Sequence, residues 1–475
     1  MECISNRTFD EIRVGDSAST VRTLGKRDME LFTVLSGGSL NQTPTGEGYA
    51  TTDMVQQLVA PSLWSSSLIA WVVGTQLPGP GSTYLDHKLH FHKAMQVGDT
   101  LRLTLTVTGK NRADHSITLD CSCLDHQGER VISGTLRLRA PTEKICSPPA
   151  ELPTIHLAER GARHKQLVEM TSHLEPIPTV VVHPVDTVSL EGTIRSAEAN
   201  LIQPILVGPV AKIQAAAQAA GIDIGAYETV AVPHSHAAAA KAVELIRSGH
   251  GQILMKGSLH TDELMSEVVR TDSGLRTERR ISHAYVLDVP TYPKLLIITD
   301  AGINIEPDVL DKRDIIQNAI ELAQVMGIAQ PKVAILSAVE TVTPKLRATM
   351  EAAALCKMAE RGQITGGILD GPLAFDNAIS KQAARTKNIN SPVAGEVDIL
   401  VVPDLEAGNM LAKQLAYLAE AAAAGIVLGA RVPIVLTSRS DDILARMASC
   451  AIAVLMACRK RELLSAGGVM SAMNC

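Results

Sequence analysis

Residues 399–413 read Ile-Leu-Val-Val-Pro-Asp-Leu-Glu-Ala-Gly-Asn-Met-Leu-Ala-Lys, and this stretch decides the fold class. The apolar run predicts a buried strand, Gly408-Asn409 predicts a tight turn, and a helix follows with Leu411, Leu415 and Leu418 on one face. A turn of this kind directs backbone N–H groups at the helix N-terminus outward, where they favour an anion. The stretch therefore predicts one strand–turn–helix unit of an α/β sheet.

The next unit along the chain, residues 432–442, ends its predicted strand in Ser438 and Arg439. Ser440 is expected to cap the following helix, with Asp441 and Asp442 in the first turn. Two neighbouring strand ends that favour anions suggest a phosphorylated substrate.

The same alternation of strands and helices extends over most of the chain after residue 160. The predicted strands are Thr179–Val182, Ile205–Val207, Ile253–Met255, Leu295–Thr299, Val333–Ser337, Gly367–Leu369, Ile399–Val402 and Val432–Leu436. This pattern is typical of a doubly wound α/β domain.

The first 145 residues have a different organisation. Three segments with strict alternation, beginning at Leu101, Ser116 and Val131, predict antiparallel strands. An apolar helix over about 62–74 lacks a charged face, which predicts burial on all sides. We therefore expect an α+β domain over 1–145, a Pro-rich linker over 146–160 and an α/β domain over 161–475.

Composition excludes several classes of protein. The net charge is −6 and no basic stripe is present, so nucleic-acid binding is not expected. No apolar run is long enough for a membrane span, and the N-terminus lacks a signal-peptide pattern. The eight cysteines show no zinc spacing, which favours reduced thiols in a cytoplasmic protein. Neither a phosphate-binding P-loop nor a dinucleotide fingerprint occurs, so neither ATP nor NAD is an expected cofactor.

Ordered motifs across residues 186–441 resemble the phosphate acetyltransferase/phosphate butyryltransferase family. They are Asp186-Thr-Val-Ser-Leu-Glu-Gly, Pro204-Ile-Leu-Val-Gly-Pro, Leu254-Met-Lys-Gly-Ser-Leu-His-Thr-Asp, Arg280-Ile-Ser-His, Asp370-Gly-Pro-Leu-Ala-Phe-Asp-Asn-Ala-Ile, Val402-Pro-Asp-Leu-Glu-Ala-Gly-Asn and Thr437-Ser-Arg-Ser-Asp. The resemblance implies a two-lobed α/β fold, with one lobe over about 161–300 plus 438–475 and the other over about 301–437. It implies transfer of a short acyl group, acetyl first, between coenzyme A and phosphate. Coenzyme A is then a substrate, with acyl-CoA, acyl phosphate and phosphate as the small-molecule partners, and neither a bound cofactor nor a metal is required.

The resemblance also assigns candidate residues. Ser438 and Arg439 correspond to the catalytic Ser-Arg pair, and Asp441, or alternatively Asp442, to the base. Arg439 suits bidentate phosphate contact and an Asp can accept the thiol proton. The expected substrate and coenzyme A contacts are Lys256, His260, Thr261, Arg280, Asn304, Asp370, Asp376, Asn377 and Asn409. Helix capping, turn formation and surface ion pairs are competing explanations for these polar residues.

Residues 59–62, 73–85 and 97–101 resemble the MaoC-like hot-dog hydratases. Hydration of an enoyl thioester needs a paired Asp and His. The register of the motif places Ser39 and Pro44 at those positions, so the N-terminal domain is not expected to be an active hydratase. Both modules form dimers in their families, which predicts a homo-oligomer.

Two other functions remain open. One is a catalytically silent module that binds acyl-CoA and regulates or scaffolds another protein. The other is a dehydrogenase of the isocitrate type, for which no convincing set of metal-binding carboxylates is present. The stretch from His260 to Ser266 lacks the arginine that longer acetyl-type enzymes use for coenzyme A, so coenzyme A contacts must differ here.

Overall fold

The computed structural model describes residues 3–35, 60–93, 95–148, 160–171, 173–438 and 441–472. The chain divides into two compact units, residues 1–157 and residues 158–475. Arg439 and Ser440 lie outside the described residues, as do Ser39 and Pro44.

The first unit is a curved antiparallel sheet with a helix packed on it. Its elements are β1 (Ile4–Ser5), β2 (Ser17–Thr23), α1 (Lys26–Leu35), α2 (Ala60–Thr75), β3 (Thr83–Phe91), β4 (Thr100–Asn111), β5 (Ser116–Leu124), β6 (Arg130–Arg139) and β7 (Cys146–Ser147). Five strands pair in the order β2-β4-β5-β6-β3, and β1 pairs separately with β7. The three alternating strands predicted from the sequence are therefore confirmed as β4, β5 and β6.

Alternation places one face of this sheet against α2. Leu101, Leu103 and Leu105 of β4 are fully buried, whereas the residues between them are more accessible. The prediction that α2 is buried on all sides is wrong, because Trp71 is 50% exposed while Val72 beside it is 0% exposed.

The cysteines of this unit differ from the expectation of reduced thiols. Cys3 and Cys146, with Cα atoms 5.8 Å apart, form a disulfide where β1 meets β7. Cys121 and Cys123 are free and buried on the same side of β5, where burial raises the pKa of each thiol to about 12.

The second unit contains one mixed sheet with helices on both faces. Its strands are β8 (Ile177–Val182), β9 (Ile202–Gly208), β10 (Glu228–Ala231), β11 (Ile253–Lys256), β12 (Ser282–Asp288), β13 (Leu296–Thr299), β14 (Lys332–Leu336), β15 (Ile368–Leu373), β16 (Ile399–Val401), β17 (Ala422–Leu428) and β18 (Ile434–Val435). Its helices are α3 (Ala162–Thr171), α4 (Thr187–Glu198), α5 (Val210–Ala220), α6 (Ser235–Arg247), α7 (Thr261–Val268), α8 (Val309–Val325), α9 (Arg347–Glu360), α10 (Phe375–Ile379), α11 (Lys381–Thr386), α12 (Leu405–Leu418) and α13 (Ile443–Ala472).

All the strands predicted in the second unit exist, but they join one continuous sheet. The order of its 11 strands is β10-β9-β8-β11-β18-β17-β12-β13-β16-β14-β15. β12 and β17, which the sequence did not predict, are antiparallel to each other and occupy the centre. Because β17 is antiparallel to β18 and β12 to β13, the parallel strands on the two sides of this pair run in opposite directions. The prediction of doubly wound parallel sheets therefore holds for each side, and the centre is mixed.

Two predicted helix starts need correction. α12 begins at Leu405 with Asp404 as its cap, whose Oδ1 accepts from the backbone N–H of Ala407 at 2.8 Å, so Gly408 and Asn409 lie inside the helix. α13 begins at Ile443, and Asp442 precedes it and accepts from the N–H of Ala445 at 2.8 Å. Neither Asp441 nor Asp442 is therefore in the first helical turn.

Candidate active site

Three neighbouring parallel strands, β8, β11 and β18, end side by side in the second unit. Polar residues follow each of them: Asp186 after β8, Lys256 at the end of β11, and Ser438 after β18. Ligands of open α/β sheets bind at such carboxyl ends. This strand-end cluster is the candidate active site.

Asp441 lies in the loop that joins β18 to α13. Its Oδ2 accepts from the backbone N–H of Ser438 at 2.7 Å, so the carboxylate is held beside the predicted catalytic serine. Burial raises the pKa of Asp441, against the opposing effects of the Ser438 hydrogen bond and of the charges on Arg446 and Lys256. A carboxylate with a raised pKa is suited to accept a proton near neutral pH.

Arg446, which the sequence analysis did not select, holds this loop in place. Its side chain is 3% exposed. Nη1 donates to Oγ1 of Thr437 at 2.9 Å, Nη2 donates to the backbone O of Ser438 at 2.9 Å, and Nε donates to the backbone O of Asp441 at 3.4 Å. The planar guanidinium thus binds both ends of the loop at once. The available sequence signal was a lone charge in the otherwise apolar first half of α13.

Close packing against α4 fixes Arg446 from the other side. A Cβ on Gly192 would come within 2.5 Å of Cδ of Arg446, so the arginine side chain needs a glycine here. At the start of the same helix, Asp186 is the cap, with Oδ1 accepting from the N–H of Ser189 at 2.8 Å. The negative charge of Asp186 is also one of the charges that act on Arg446.

Lys256, which the sequence analysis predicted as a substrate contact, lies in the strand-end cluster. It is only 4% exposed, and its Nζ lies 3.5 Å from the backbone O of Gly257. Its positive charge acts on the carboxyl of Asp441. A buried ammonium beside a strand end is a suitable group for stabilising developing negative charge.

His260 and Thr261 lie at the start of α7. His260 is the cap residue, and Oε1 of Glu263 accepts from its backbone N–H at 3.4 Å. Thr261 is the first helical residue. The structure therefore gives His260 a capping position just beyond the carboxyl end of β11.

A second group collects Arg280, Asn304 and Asn409 around the loop after β13. Nε of Arg280 donates to Oδ1 of Asn304 at 2.7 Å, and Nδ2 of Asn304 donates to Oδ2 of Asp300 at 2.5 Å. Nδ2 of Asn409 donates to the backbone O of Ala301 at 3.2 Å. The structure therefore brings together these three of the nine predicted contact residues.

A third group contains Asp370, which lies within β15, and Asp376 and Asn377, which lie in α10 just after it. Asp376 pairs with Lys387 at 3.1 Å, and this ion pair lowers the pKa of the Asp376 carboxyl. Nδ2 of Asn377 donates to Glu340 at 3.4 Å, while its buried Oδ1 has no hydrogen-bond partner among the described residues. Asp370 is the third residue of β15, although the sequence predicted that the strand ends at Leu369, and its Oδ1 accepts from the N–H of Gly371 at 2.8 Å.

β12 and β17 separate the strand-end cluster from the second group. Tyr285 belongs to β12, and burial followed by the negative charge of Asp441 raises the pKa of its hydroxyl to about 12. The ring of Tyr285 meets that of buried His283 edge-on, with centroids 4.5 Å apart. Because the two sides of the sheet run in opposite directions, the carboxyl ends of β18 and β13 lie at opposite edges of the sheet. The two groups are therefore separated by the length of these strands as well as by about 14 Å across the sheet. A single compact substrate cannot touch both groups, whereas an elongated one can.

The described residues contain no group of three or more His, Cys, Asp or Glu side chains placed to hold a metal ion. Among the helices in the part of the chain that the structure describes, none is long and apolar enough to span a membrane.

Comparison with known proteins identifies this architecture. Residues 231–454 match the family model described as "Phosphate acetyl/butaryl transferase". A phosphate acetyltransferase from Rhizobium meliloti is 63% identical over 300 residues, covering 63% of this chain and 95% of the relative. A phosphate butyryltransferase from Clostridium beijerinckii is 38% identical over 300 residues, covering 62% of this chain and 99% of the relative. The crystal structure of a branched-chain phosphotransacylase from Enterococcus faecalis V583 aligns with a TM-score of 0.53 and 29% identity, covering 59% of this chain and 99% of that chain.

Proposed function

The chain belongs to the phosphate acetyl/butyryl transferase family, and we propose that it exchanges an acetyl group between coenzyme A and phosphate at the strand-end cluster. Acetyl is favoured because the similarity to the phosphate acetyltransferase, 63%, exceeds that to the phosphate butyryltransferase, 38%. Coenzyme A is a substrate in this reaction, and no bound cofactor is needed. The observation that carries the proposal is the half-buried Asp441 held beside Ser438 by Arg446.

The chemistry requires one proton transfer and one displacement. Asp441 accepts the proton of the coenzyme A thiol, and the thiolate attacks the carbonyl carbon of acetyl phosphate. The C–S bond forms, the bond from carbon to the phosphate oxygen breaks, and phosphate leaves with the electron pair. Ser438, Arg439 and Lys256 supply hydrogen bonds and positive charge to the phosphate and the developing oxyanion.

Coenzyme A is elongated, and the two remaining groups offer it contacts away from the reacting atoms. In this proposal its thiol end lies over Tyr285, near Asp441, and its phosphates extend toward either His260 and Thr261 or Arg280 and Asn304. The half-exposed side chain of Arg280 is the cation in the second of these groups. Asp370, Asp376, Asn377 and Asn409 complete the wall on that side.

The first unit is proposed to be a MaoC-like hot-dog module without hydratase activity. The support is its five-stranded antiparallel sheet around one apolar helix, together with Ser39 and Pro44 at the expected positions of the catalytic pair. β3 is an edge strand with mostly exposed residues, and such an edge can pair with a second copy of the chain. We therefore include a homo-oligomer in the proposal.

The test is consumption of coenzyme A thiol with acetyl phosphate, propionyl phosphate and butyryl phosphate. Wild type should turn over acetyl phosphate with the highest kcat/KM, and Arg439→Ala should lose at least about 100-fold. Arg361→Ala, which removes an exposed cation beyond the end of α9, is the matched control and should be unchanged. Absence of turnover on all three acyl phosphates, with acetyl-CoA still binding, would contradict the proposal and support a silent binding module.

A further inference from the structure

One cavity in the described part of the second unit lies away from the strand-end cluster. Its volume is about 810 Å³, within the usual range for small-molecule pockets. It opens between α8 and α13, and the turn from β17 to β18, residues 428–433, forms one wall. We call it the α8–α13 cavity.

The cavity and the candidate active site lie at opposite ends of β18. Pro433, just before this strand, lines the cavity, whereas Ser438 follows the strand's other end. Five residues of extended chain span about 16 Å. A ligand in the α8–α13 cavity is therefore not in contact with the reacting atoms.

Positive charge dominates the lining. It contains Arg279, Arg431, Arg459 and Lys460 against a single carboxylate, Glu321. Glu321 is already paired with Arg279 at 2.7 Å, and Arg459 pairs with the exposed Glu462 at 3.2 Å. Among the described residues, Arg431 and Lys460 have no carboxylate partner.

Arg431 and Lys460 are also close to each other. Nζ of Lys460 donates to the backbone O of Arg431. Burial, followed by the positive charge of Arg431, lowers the pKa of the Lys460 ammonium. Two adjacent cations without a counter-charge repel each other, so an anion bound between them is stabilised by both.

The rest of the lining suits a ligand with an uncharged body. Gln317 of α8 donates from Nε2 to the backbone O of Thr365 and accepts at Oε1 from the N–H of Thr365. Gln324 of α8 donates from Nε2 to the backbone O of Gly366, so α8 fixes the wall formed by residues 365–366. Val325, Val432 and Met456 supply apolar surface. The cavity thus offers positive charge around Arg431 and Lys460, and amide and apolar surface along the rest of its lining.

We propose that the α8–α13 cavity binds a phosphorylated metabolite with at least two negative charges and a ring-sized body, such as a nucleoside polyphosphate. Occupancy is transmitted to acyl transfer through α13, which carries Lys460 in the cavity and Arg446 at the catalytic loop. These two residues are 14 positions apart, about 21 Å along the helix. The regulatory half of this inference rests on the proposed acyltransferase function, whereas the binding half does not.

Binding is tested by calorimetry with ATP on the full chain, in the presence of saturating coenzyme A so that the active site is occupied. Wild type should bind one ATP per chain. The double variant Arg431→Ala/Lys460→Ala should bind at least about tenfold more weakly, since two charge-assisted contacts are lost. The control pair Lys357→Ala/Arg361→Ala, which removes two exposed cations at the end of α9, should bind as wild type does. Equal affinity in wild type and the Arg431/Lys460 variant, or no ATP binding beside coenzyme A, would overturn the site.

Regulation is tested in the same preparations. ATP should change the kcat or KM of wild type, and the Arg431→Ala/Lys460→Ala variant should keep the basal rate but lose the response. A wild type that binds ATP with no change in rate would overturn the regulatory half. A chain that binds ATP at this cavity but shows no acyl transfer with or without it would contradict the proposed function and still support the site.

Discussion

Asp441 and Asp442 are adjacent carboxylates in different environments, and this difference selects the base. Asp441 accepts from the backbone N–H of Ser438 and burial raises its pKa. Asp442 instead accepts from the N–H of Ala445 and caps α13. The sequence left the choice between them open, and the geometry favours Asp441 because only its carboxylate is held beside Ser438.

Asp441→Asn should lower kcat for acetyl transfer by about 10²–10⁴-fold, because the amide cannot accept the thiol proton. Asp442→Asn is the matched control and should change kcat little, since asparagine caps helices as well as aspartate does. The measurement is steady-state thiol consumption. Equal losses in both variants would contradict the assignment of the base.

The same substitution predicts a pH dependence of stability. The pKa of Asp441 is raised in the folded state, so the folded chain binds this proton more tightly than the unfolded chain does. Its stabilising contribution is complete below the ordinary carboxyl pKa and is lost as pH rises through the raised value. Relative to wild type, the free energy of unfolding of Asp441→Asn should therefore increase as pH rises through this window. Urea unfolding across a pH series measures it, and a constant difference would exclude the raised pKa.

Arg446 is a positioning residue, and its role depends on the planar fork of the guanidinium. Arg446→Lys keeps the charge but cannot donate to Thr437 and to the backbone of Ser438 and Asp441 together. We expect a fall in kcat larger than any rise in KM, with a loss of about 1–3 kcal/mol in the free energy of unfolding. Kinetics and urea unfolding test this prediction. An unchanged kcat with the same loss of stability would make Arg446 purely structural.

At the scale of the element, Gly408 shows why a local pattern misleads. Gly-Asn after an apolar strand normally indicates a turn, yet the Asp404 cap starts α12 four residues earlier. The glycine is needed for packing: a Cβ there would lie 2.7 Å from the backbone O of Asp300 and 2.8 Å from Cγ2 of Val402. The close approach joins α12 to the loop that carries Asn304.

Gly408→Ala should destabilise the second unit by about 1–3 kcal/mol, although alanine has the higher helix propensity. The control is Gly74→Ala in α2, where a Cβ meets nothing within 4 Å. That variant should be neutral or stabilising by up to about 1 kcal/mol. Thermal and urea unfolding distinguish the two, and stabilisation by Gly408→Ala would show that the loop after β13 yields easily.

The sequence predicted eight of the 11 strands of the large sheet and missed the edge strand β10 and the central pair β12 and β17, and for the central pair the reason is physical. β17 reads Ala-Ala-Ala-Gly-Ile-Val-Leu, and its alanines continue the helical composition of α12. β12 reads Ser-His-Ala-Tyr-Val-Leu-Asp, in which buried polar residues interrupt the apolar run that would indicate a strand. Both are strands because neighbours on each side complete their hydrogen bonds, and no local propensity records that.

The site residues could likewise be predicted where local sequence patterns mark them, and not where distant contacts define them. Residues in strand-end motifs, such as Lys256, Ser438 and Asp441, could be selected because strand ends are readable from apolar runs. Arg446 could not, since its partners are backbone groups eight and five residues before it and its packing partner is Gly192 in another helix. Long-range contact of this kind is visible only once the chain is folded.

At the scale of the whole molecule, each unit has a core of its own. In the first unit the core gathers Trp64, Leu68 and Val72 of α2 against buried positions of β4, β5 and β6. In the second unit one continuous core covers one face of the large sheet, and two separate cores cover the other. A unit with its own core can unfold as a cooperative element.

We therefore expect a chain that begins at Ala158 to fold alone and to keep the acetyl transfer activity of the full chain within about twofold, because every candidate catalytic group belongs to residues 158–475. Calorimetry should show two transitions for the full chain and one for the shortened chain. Loss of the edge strand β3 should lower the oligomeric state measured by light scattering, if that strand pairs two copies. A shortened chain that folds, as judged by its single transition, but has lost activity would show that the first unit contributes to the acyltransferase site. In that case the first unit would act on the transferase directly.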